Sequence, residues 1–316
     1  MPTFVGASLL IVFQALAADG GSDGPKVAIQ PRATQELAAA GGRLRVDSNL
    51  VLIPVSVTDP KNRLVTGLVP DQFRVFEGKA EQKVLHCSSN DAPLSVGIVF
   101  DSSGSMAGKL VKAREAVAQF LQTANPDDEF FLVNFSSKAE LVVPFTTSTD
   151  DIQHRLMSAQ SQGRTALLDA VYLALHYLKN AKNPRRALLV ISDGGDNDSR
   201  YTEAEIKNEV RESDAWIYAI GIYDGHLQTF PEEDRGGPKL LTDLAEESGG
   251  RHLAVHSASE LPEAAEKVGM ELRNQYILAY SPANAERDGK YRRVQVKMAN
   301  RSDLHLTWKH GYYAPE

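Results

Sequence analysis

An alternation of buried strands and amphipathic helices over residues 93–275 constrains the fold of this chain more than any other feature. The run 94–100 (LSVGIVF) is apolar on both faces, as in the centre of a parallel sheet. Apolar residues at helical spacing follow at 109–123. The same order recurs, with strands predicted at 129–135, 186–192, 216–222 and 251–255, and helices at 167–178, 202–213, 239–247 and 261–274. This pattern predicts an α/β fold built on a doubly wound, mainly parallel sheet.

Segments that contain only predicted strands flank this unit on both sides. Val51, Ile53, Val55 and Val57 alternate with other residues, which is the period of a strand. Further short strands are predicted at 73–76, 83–86, 276–280, 291–298 and 304–308. We expect residues 43–92 and 276–316 to form one small antiparallel, β-sandwich-like domain into which the α/β domain (93–275) is inserted, because either segment alone would make a marginal sheet. Two unrelated β appendages are the alternative.

The N-terminus has the layout of a secretory signal peptide. The uncharged apolar run 4–16 is shorter than the ~20 residues of a membrane span, and Ala15-Leu16-Ala17 resembles a cleavage site. We therefore predict a signal peptide at 1–17 and a flexible leader at 18–42. The mature protein would be exported (periplasmic, cell-surface or secreted) and would have no membrane span. No Lys or Arg precedes the run, so an uncleaved anchor stays open, as does a buried strand or helix.

Charge and cysteine content exclude several kinds of partner and site. The chain has 34 Lys and Arg against 41 Asp and Glu, a net charge of −7, so there is no electrostatic case for nucleic-acid binding. Cys87 is the single cysteine. An intramolecular disulfide and a zinc site made of several thiolates are therefore excluded.

Oxygen-bearing side chains follow two of the predicted buried strands and precede one helix. Asp101, Ser103 and Ser105 come directly after the strand at 94–100, at alternate positions, so an extended loop would turn all three the same way. Thr165 stands at the start of the helix at 167–178, and Asp193 follows the strand at 186–192. Ligands bind beyond the carboxyl ends of the strands in such sheets. Carboxylate and hydroxyl oxygens suit Mg²⁺, Mn²⁺ or Ca²⁺.

Each of these elements also has a structural interpretation. Ser103 and Ser105 are residue types that cap helices, and Thr165 stands where it would cap the next one. Asp193-Gly194-Gly195 is typical of a plain turn. The metal hypothesis therefore depends on all three elements meeting at one edge of the sheet.

The three elements, in this order, resemble the von Willebrand factor type A (VWFA) domain and its metal-ion-dependent adhesion site, across about 93–275. Peptides such as DAPLSVGIVFDSSGSM, RTALLDAVYLAL and ISDGGDNDSR are also similar to a bacterial VWFA-related family named from acidobacterial genomes. The resemblance implies that the metal ligands, some acting through water, are Asp101, Ser103, Ser105, Thr165 and Asp193.

The resemblance implies a binding protein rather than an enzyme. We expect an exported, cation-dependent, adhesion-type module that captures an Asp or Glu side chain of a protein partner. A structural envelope module with a merely stabilising metal is one alternative. A metal-assisted hydrolase is another, although none of the three loops contains a His that would serve as a base. Arg164 departs from the small residue frequent in the family, and it would either attract the partner's carboxylate or be a solvated loop residue.

Other candidate residues carry weaker predictions. His252 and His256 lie on a predicted strand, where four residues span about 13 Å, too far for one ion. Cys87 and His86 are strand neighbours that face opposite ways, so a structural thiol is expected. Asp196, Asp198 and Asp224 would line a second cation site or lie in solvated loops, and 232–237 would be a mobile excursion near the binding rim.

Overall fold

The computed structural model describes residues 50–89, 91–223 and 236–315. The predicted signal peptide, the leader and the first residues of the β segment lie outside these ranges. So do Asp224 and residues 232–235. No helix in the described part of the chain is long and apolar enough to cross a membrane.

Strands and helices alternate in the middle of the described chain, and strands alone occupy both ends. The strands are β1 (Val51–Thr58), β2 (Phe73–Glu77), β3 (Ala80–Gln82), β4 (Val84–Ser88), β5 (Leu94–Asp101), β6 (Glu129–Phe135), β7 (Ala139–Thr146), β8 (Arg185–Ser192), β9 (Ala215–Ile222), β10 (His252–Val255), β11 (Tyr276–Tyr280), β12 (Tyr291–Met298), β13 (His305–Trp308) and β14 (Gly311–Tyr313). The helices are α1 (Leu110–Gln122), α2 (Thr149–Met157), α3 (Leu167–Leu178), α4 (Glu203–Glu212), α5 (Gly237–Ser248) and α6 (Leu261–Arg273).

A six-stranded sheet in the order β10-β9-β8-β5-β6-β7 forms the centre of the α/β unit. Every neighbouring pair is parallel except β6 and β7. One face of the sheet packs against α1, α2 and α6, and the other packs against α3, α4 and α5. The predicted doubly wound, mainly parallel α/β fold is therefore confirmed. Strands β5 and β8 are adjacent in the middle of the sheet, so the loops that follow them meet at one edge.

Two four-stranded sheets, β13-β1-β11-β4 and β14-β12-β2-β3, are built from the flanking segments. Each sheet mixes strands from before and after the α/β unit, for instance where Ile53 of β1 pairs with Leu278 of β11. Their inner faces share one core, which includes Val55, Phe73 and Tyr280. The antiparallel sheets agree with the predicted sandwich. The exact domain boundaries at 43–92, 93–275 and 276–316 stay a prediction.

Close contacts join the α/β unit to the β sheets. The backbone at Gly249, after α5, has φ +79°, and a Cβ built there would lie 2.2 Å from the backbone nitrogen of Lys309. Nearby, the hydroxyl of Tyr218 on β9 lies 3.4 Å from that of Ser56 on β1, and it donates a hydrogen bond to the buried carboxylate of Glu271 at 3.1 Å. Arg251 pairs with the same carboxylate at 3.3 Å. Close backbone packing and buried polar contacts therefore both hold the α/β unit against the β sheets.

Substituting Gly249 tests how tightly the junction is packed. We expect Gly249→Ala to lower the free energy of unfolding by more than Gly67→Ala. Gly67 has nearly the same φ, +80°, but nothing lies within 4 Å of its added Cβ. Gly67→Ala should cost only the left-handed strain of about 1–2 kcal/mol, whereas Gly249→Ala should add an overpacking cost of about 1–3 kcal/mol. Urea unfolding of both variants gives the comparison, and equal losses would contradict the tight junction.

Candidate metal centre

Asp101 is a fully buried carboxylate at the carboxyl end of β5. One of its oxygens accepts a hydrogen bond from the backbone N–H of Ser103 at 2.8 Å. The other accepts from the hydroxyl of Ser192, the last residue of β8, at 2.6 Å. The register of the two parallel strands, with Phe100 opposite Ile191, places these two ends side by side. Sheet pairing therefore holds this carboxylate in one orientation.

The two serines after Asp101 come together, although not by the predicted route. Ser103 is extended, with φ −65° and ψ 168°, but residues 104–106 form one turn of 3-10 helix. The expectation of an extended loop through Ser105 is therefore wrong. The turn still brings the hydroxyl oxygens of Ser103 and Ser105 within 3.1 Å of each other. Two hydroxyls at this spacing are able to face one cation.

The capping interpretation of these serines does not fit the structure. Ser103 flanks the 3-10 turn without a side-chain cap hydrogen bond, and the residue that precedes α1 is Lys109. For the helix beyond Thr165, the N-cap is Ala166, again without a side-chain cap. The hydroxyls of these three residues are therefore not used to cap these helices.

Asp193 is the second carboxylate of the cluster and is paired with a lysine. Its side chain is 5% exposed, and the ammonium of Lys109, itself 10% exposed, lies 3.2 Å from one of its oxygens. Gly194 follows with φ +84°, and a Cβ there would lie 2.7 Å from the backbone of Gly237. The chain can therefore turn away directly after Asp193 only with glycine at this position.

The loop that carries Thr165 is attached to the serine loop through the backbone. The N–H of Gly104 donates to the carbonyl of Gly163 at 3.0 Å. Thr165 is buried, and its own N–H donates to the side-chain oxygen of Asn197 at 3.0 Å. Backbone hydrogen bonds from Asn197 and Asp198 return to the Thr165 carbonyl. The loops after β5 and β8 and the loop before α3 therefore form one bonded cluster.

The cluster is short of positive charge. Burial, and after it the negative charge of Asp193, raise the pKa of Asp101 to about 7, against the lowering effect of hydrogen bonds from Ser103 and Ser192. Lys109 offsets one of the two carboxylates. In the described part of the chain, no three or more His, Cys, Asp or Glu side chains are grouped so that they could hold a metal ion. The donor set is accordingly two carboxylates with hydroxyls, all of them hard oxygen ligands.

Two loop residues singled out from the sequence have other roles. Asp196 accepts a hydrogen bond from the Leu168 N–H, at the first turn of α3, at 3.2 Å, and one from Ser199 at 2.6 Å, so it supports the loop. Arg164 is 59% exposed at its side chain and lies 3.9 Å from Asp198. The attraction of Arg164 for a partner's carboxylate stays a prediction. Within the protein its neighbour is the carboxylate of Asp198.

Both ring nitrogens of His252 are engaged within the protein. Nδ1 lies 2.8 Å from the hydroxyl of Thr242, and Nε2 lies 3.1 Å from that of Tyr223. The Thr242 hydroxyl donates its proton to the Pro238 carbonyl, so it must accept from Nδ1 of His252, and Nε2 then accepts from Tyr223. This agrees with a structural histidine rather than a ligand of a metal pair.

Sequence reasoning missed Lys109 and Ser192. Ser192 has no sequence signal of its own, because its role depends on which strands pair. Lys109 does carry a signal, since it stands at the N-terminus of α1, where the helix dipole disfavours a cation. A lysine at this position is favourable only with a negative charge nearby, which Asp193 supplies.

A family model described as the von Willebrand factor type A domain matches residues 96–195. Residues 96–195 therefore belong to a von Willebrand factor type A domain. The match covers most of β5 and all of β6, β7 and β8, and it includes all five candidate ligands.

Relatives share this domain over part of their length. Inter-alpha-trypsin inhibitor heavy chain H4 of Bos taurus is 30% identical over 139 residues, which is 40% of this chain and 15% of that protein. An uncharacterised protein of Borreliella burgdorferi is 24% identical over 199 residues, 56% of this chain and 57% of that one. The chain therefore spans a small part of the first relative and little more than half of the second.

A solved structure supports the VWFA fold over a larger part of the chain. The von Willebrand factor type A protein from Catenulispora acidiphila has a TM-score of 0.51 at 14% identity, covering 86% of this chain and 74% of that one. At this identity the similarity is one of fold.

The raised pKa of Asp101 predicts how stability depends on pH when metal is removed. Between the unfolded value near 3.8 and the folded value of about 7, the folded protein binds one proton more than the unfolded chain. The resulting stabilisation is fully present below the unfolded pKa. It decreases by about 1.4 kcal/mol per pH unit between the two pKa values and is lost once the pH has risen through the folded pKa. In chelator, wild type should therefore lose stability from pH 4 to 7 relative to Asp101→Asn.

The control for this measurement is Asp303→Asn. Asp303 is an exposed carboxylate held by Arg301, which lowers its pKa, so this variant should retain the wild-type loss between pH 4 and 7. Unfolding in urea at a series of pH values gives the free energies. Parallel curves for wild type and Asp101→Asn would mean that Asp101 titrates normally in the folded protein.

Proposed function

We propose that Asp101, Ser103, Ser105, Thr165 and Asp193 hold a divalent cation, with Mg²⁺ favoured and Mn²⁺ or Ca²⁺ as alternatives. The support is the donor chemistry, because carboxylates and hydroxyls without sulfur or imidazole are the ligands of hard cations. The cluster also fits such an ion sterically, since the hydroxyls of Ser103 and Ser105 lie 3.1 Å apart beside a buried carboxylate.

One observation carries this proposal. Asp101 is fully buried next to Asp193, and the one cation recorded in contact with either carboxylate within the described chain is the ammonium of Lys109. Buried charges persist in proteins when they are paired or coordinate metals. A divalent cation would supply the missing positive charge and would keep Asp101 ionised at neutral pH.

The charge balance of the loaded site favours an anionic ligand. Two carboxylates, one ammonium and one divalent ion leave a single positive charge at the edge of the sheet. The protein as a whole has a net charge of −7, so attraction for an acidic partner has to come from this local charge. We therefore infer an adhesion-type binding module that captures an Asp or Glu carboxylate of a partner protein, with the cation as the point of attachment.

The proposal places this module outside the cytoplasm. The apolar run at 4–16 and the small residues that follow it support export, to the periplasm, the cell surface or the medium. We also propose the domain division given by the sequence: VWFA domain at 93–275 and one β domain from 43–92 and 276–316. We propose as well that the chain is related to the bacterial VWFA-related family that its sequence resembles.

The same residues give weaker support to two other functions. A metal-assisted hydrolase needs a base near the ion, but the loops at 101–109, 158–166 and 192–202 contain no His, and both nitrogens of His252 are engaged. A structural module with a stabilising cation would use the same ligands without a partner. A capture experiment separates this second function from adhesion.

Lys109 allows a sharp test of the metal site. We expect Lys109→Met to destabilise the metal-free protein, because it leaves the buried carboxylate of Asp193 without its ammonium. The same change should tighten Mg²⁺ binding by about tenfold or more, since it removes a positive charge from the site. Titration of Mg²⁺ followed by thermal unfolding measures both quantities. At a Mg²⁺ concentration of 100 times Kd, the free energy of unfolding should rise by about 2.7 kcal/mol.

Asp101→Ala and Lys112→Met are the controls for that titration. Asp101→Ala should abolish the Mg²⁺ response. Lys112 is an exposed lysine of α1 that pairs with Glu115, so Lys112→Met should leave the response unchanged. If Lys109→Met weakened Mg²⁺ binding, the idea that its ammonium opposes the cation would be wrong.

Partner capture tests the adhesion function itself. The chain should retain proteins from an envelope extract, and peptides rich in Asp or Glu, in Mg²⁺ but not in EDTA, and Asp101→Ala should retain neither. Matched peptides with Asn and Gln in place of the acids should not bind. Metal binding without carboxylate-dependent capture would favour the structural module, and Mg²⁺-dependent esterase or phosphatase turnover that is lost in Asp193→Ala would favour the hydrolase.

A further inference from the structure

The sheet β14-β12-β2-β3 carries a positive charge that contrasts with the rest of the protein. The segments 73–83 and 291–298, which form β2, β3 and β12, contain six Lys or Arg residues and two Glu residues, a net charge of +4. The whole chain has a net charge of −7. A cationic surface on an acidic protein raises the local concentration of anionic partners, so this sheet is a candidate interaction surface.

Strand β12 turns its unpaired cations towards solvent. Along this strand the buried Val294 and Val296 alternate with the exposed Arg293, Gln295 and Lys297, because successive side chains point to opposite faces of a sheet. No carboxylate in the described part of the chain lies within salt-bridge distance of Arg293 or Lys297. The positive charges of both side chains are therefore available to a ligand.

Strand β2 adds a third cation and an aromatic ring to the same face. Arg74 pairs across the sheet with Lys297, and Phe76 pairs with Gln295. The guanidinium of Arg74 and the ammonium of Lys297 lie 5.1 and 5.2 Å from the centre of the Phe76 ring, which attracts both cations. Arg74 also pairs with the exposed carboxylate of Glu81. The cations of this face are thus held against the sheet, and only one of them is neutralised.

The spacing of the two unpaired cations indicates the size of the ligand. Arg293 and Lys297 are four residues apart on one strand, a distance of about 13 Å. A single carboxylate or phosphate group cannot contact both, so a ligand that uses the whole face needs several anionic groups along an extended chain. Since β12 is already paired on both sides, with β14 and β2, such a chain could not be added to the sheet as a further strand.

The side chains of this face separate the possible polyanions. Proteins that bind single-stranded nucleic acid offer free aromatic faces for stacking, whereas the Phe76 ring is occupied by two cations. Adsorption to a membrane needs exposed apolar side chains, and Tyr291 is the one large apolar side chain that is exposed among the described residues of β2, β3 and β12. Gln295, between the unpaired cations, offers an amide donor and acceptor that suit hydroxyl groups.

We propose that this face binds an anionic polysaccharide, of the class whose sugar units carry carboxylates. The carboxylates would pair with Arg293 and Lys297, and hydroxyls between them would form hydrogen bonds with the amide of Gln295. A saccharide chain has no backbone amides that require pairing with a strand. The face shares no residue with the candidate metal centre, so this binding should not require a divalent cation.

Calorimetric titration of the full chain with polygalacturonate fragments in EDTA tests this proposal, with neutral dextran as the comparison polymer. The polyuronate should bind and dextran should not. Binding should weaken as salt rises from about 50 to 200 mM, as it does where a protein's cations neutralise a polyanion. The double variant Arg293→Gln/Lys297→Gln should weaken binding by about tenfold or more.

The double variant Lys138→Gln/Lys179→Gln is the matched control. Both lysines are exposed on the α/β unit, and their replacement changes the net charge of the protein by the same amount. This variant should bind the polyuronate as wild type does, because the local charge of the sheet face is unchanged.

Four results would overturn the proposal. The polyuronate fails to bind even at about 50 mM salt. Arg293→Gln/Lys297→Gln, with the melting temperature of wild type, binds as tightly as wild type. The control variant loses as much affinity, in which case net charge and not this face is responsible. Polyglutamate, DNA or vesicles of anionic phospholipid bind in EDTA as tightly as the polyuronate. Capture through the metal centre requires Mg²⁺, so the two proposals can fail separately.

Discussion

The repulsion and burial of two carboxylates at the ends of adjacent strands is the constraint on which this structure depends. Asp101 ends β5 and Asp193 follows β8, so the parallel pairing of these strands puts both carboxylates at one edge of the sheet, where the charge of Asp193 acts on Asp101. The surrounding groups compensate in part. Ser103 and Ser192 donate hydrogen bonds to Asp101, and Lys109 places an ammonium against Asp193. These contacts hold the carboxylates in place while leaving the site short of positive charge.

The remainder of the fold can be understood as support for that edge of the sheet. Helices on both faces bury the central strands completely, so β5 and β8 cannot shift relative to each other without breaking the cores that contain Val99 and Leu189. The β sheets tie the two ends of the α/β unit together, since β1 and β11 pair across it. A rigid scaffold of this kind suits a site whose ligands come from three loops.

Much of this fold could be predicted from the sequence, because buried strands and amphipathic helices have distinct periods. Two elements of the α/β unit were not predicted, and the reason is physical. β7 is an antiparallel edge strand of which Val143 alone is buried, and α2 buries only Ile152 and Leu156 in nine residues. Neither provides enough apolar residues for a period to stand out.

The candidate site was predictable in its residues but not in its geometry. Asp101, Ser103 and Asp193 stand at strand ends that the sequence locates, so their proximity follows from the sheet. The pairing of Ser192 with Asp101 depends on a contact between segments distant in the sequence, and so does the attachment of the turn at 104–106 to the carbonyl of Gly163. Lys109 lies between these cases, because its position at a helix N-terminus is visible in the sequence while its partner is not.

A crystal structure grown with Mn²⁺ and measured at the manganese absorption edge tests the central claim most directly. We expect one anomalous peak bounded by Asp101, Ser103, Ser105, Thr165 and Asp193, with the ammonium of Lys109 displaced from its contact with Asp193. A map without a peak there, or with the ammonium still on Asp193 and manganese bound elsewhere, would contradict it.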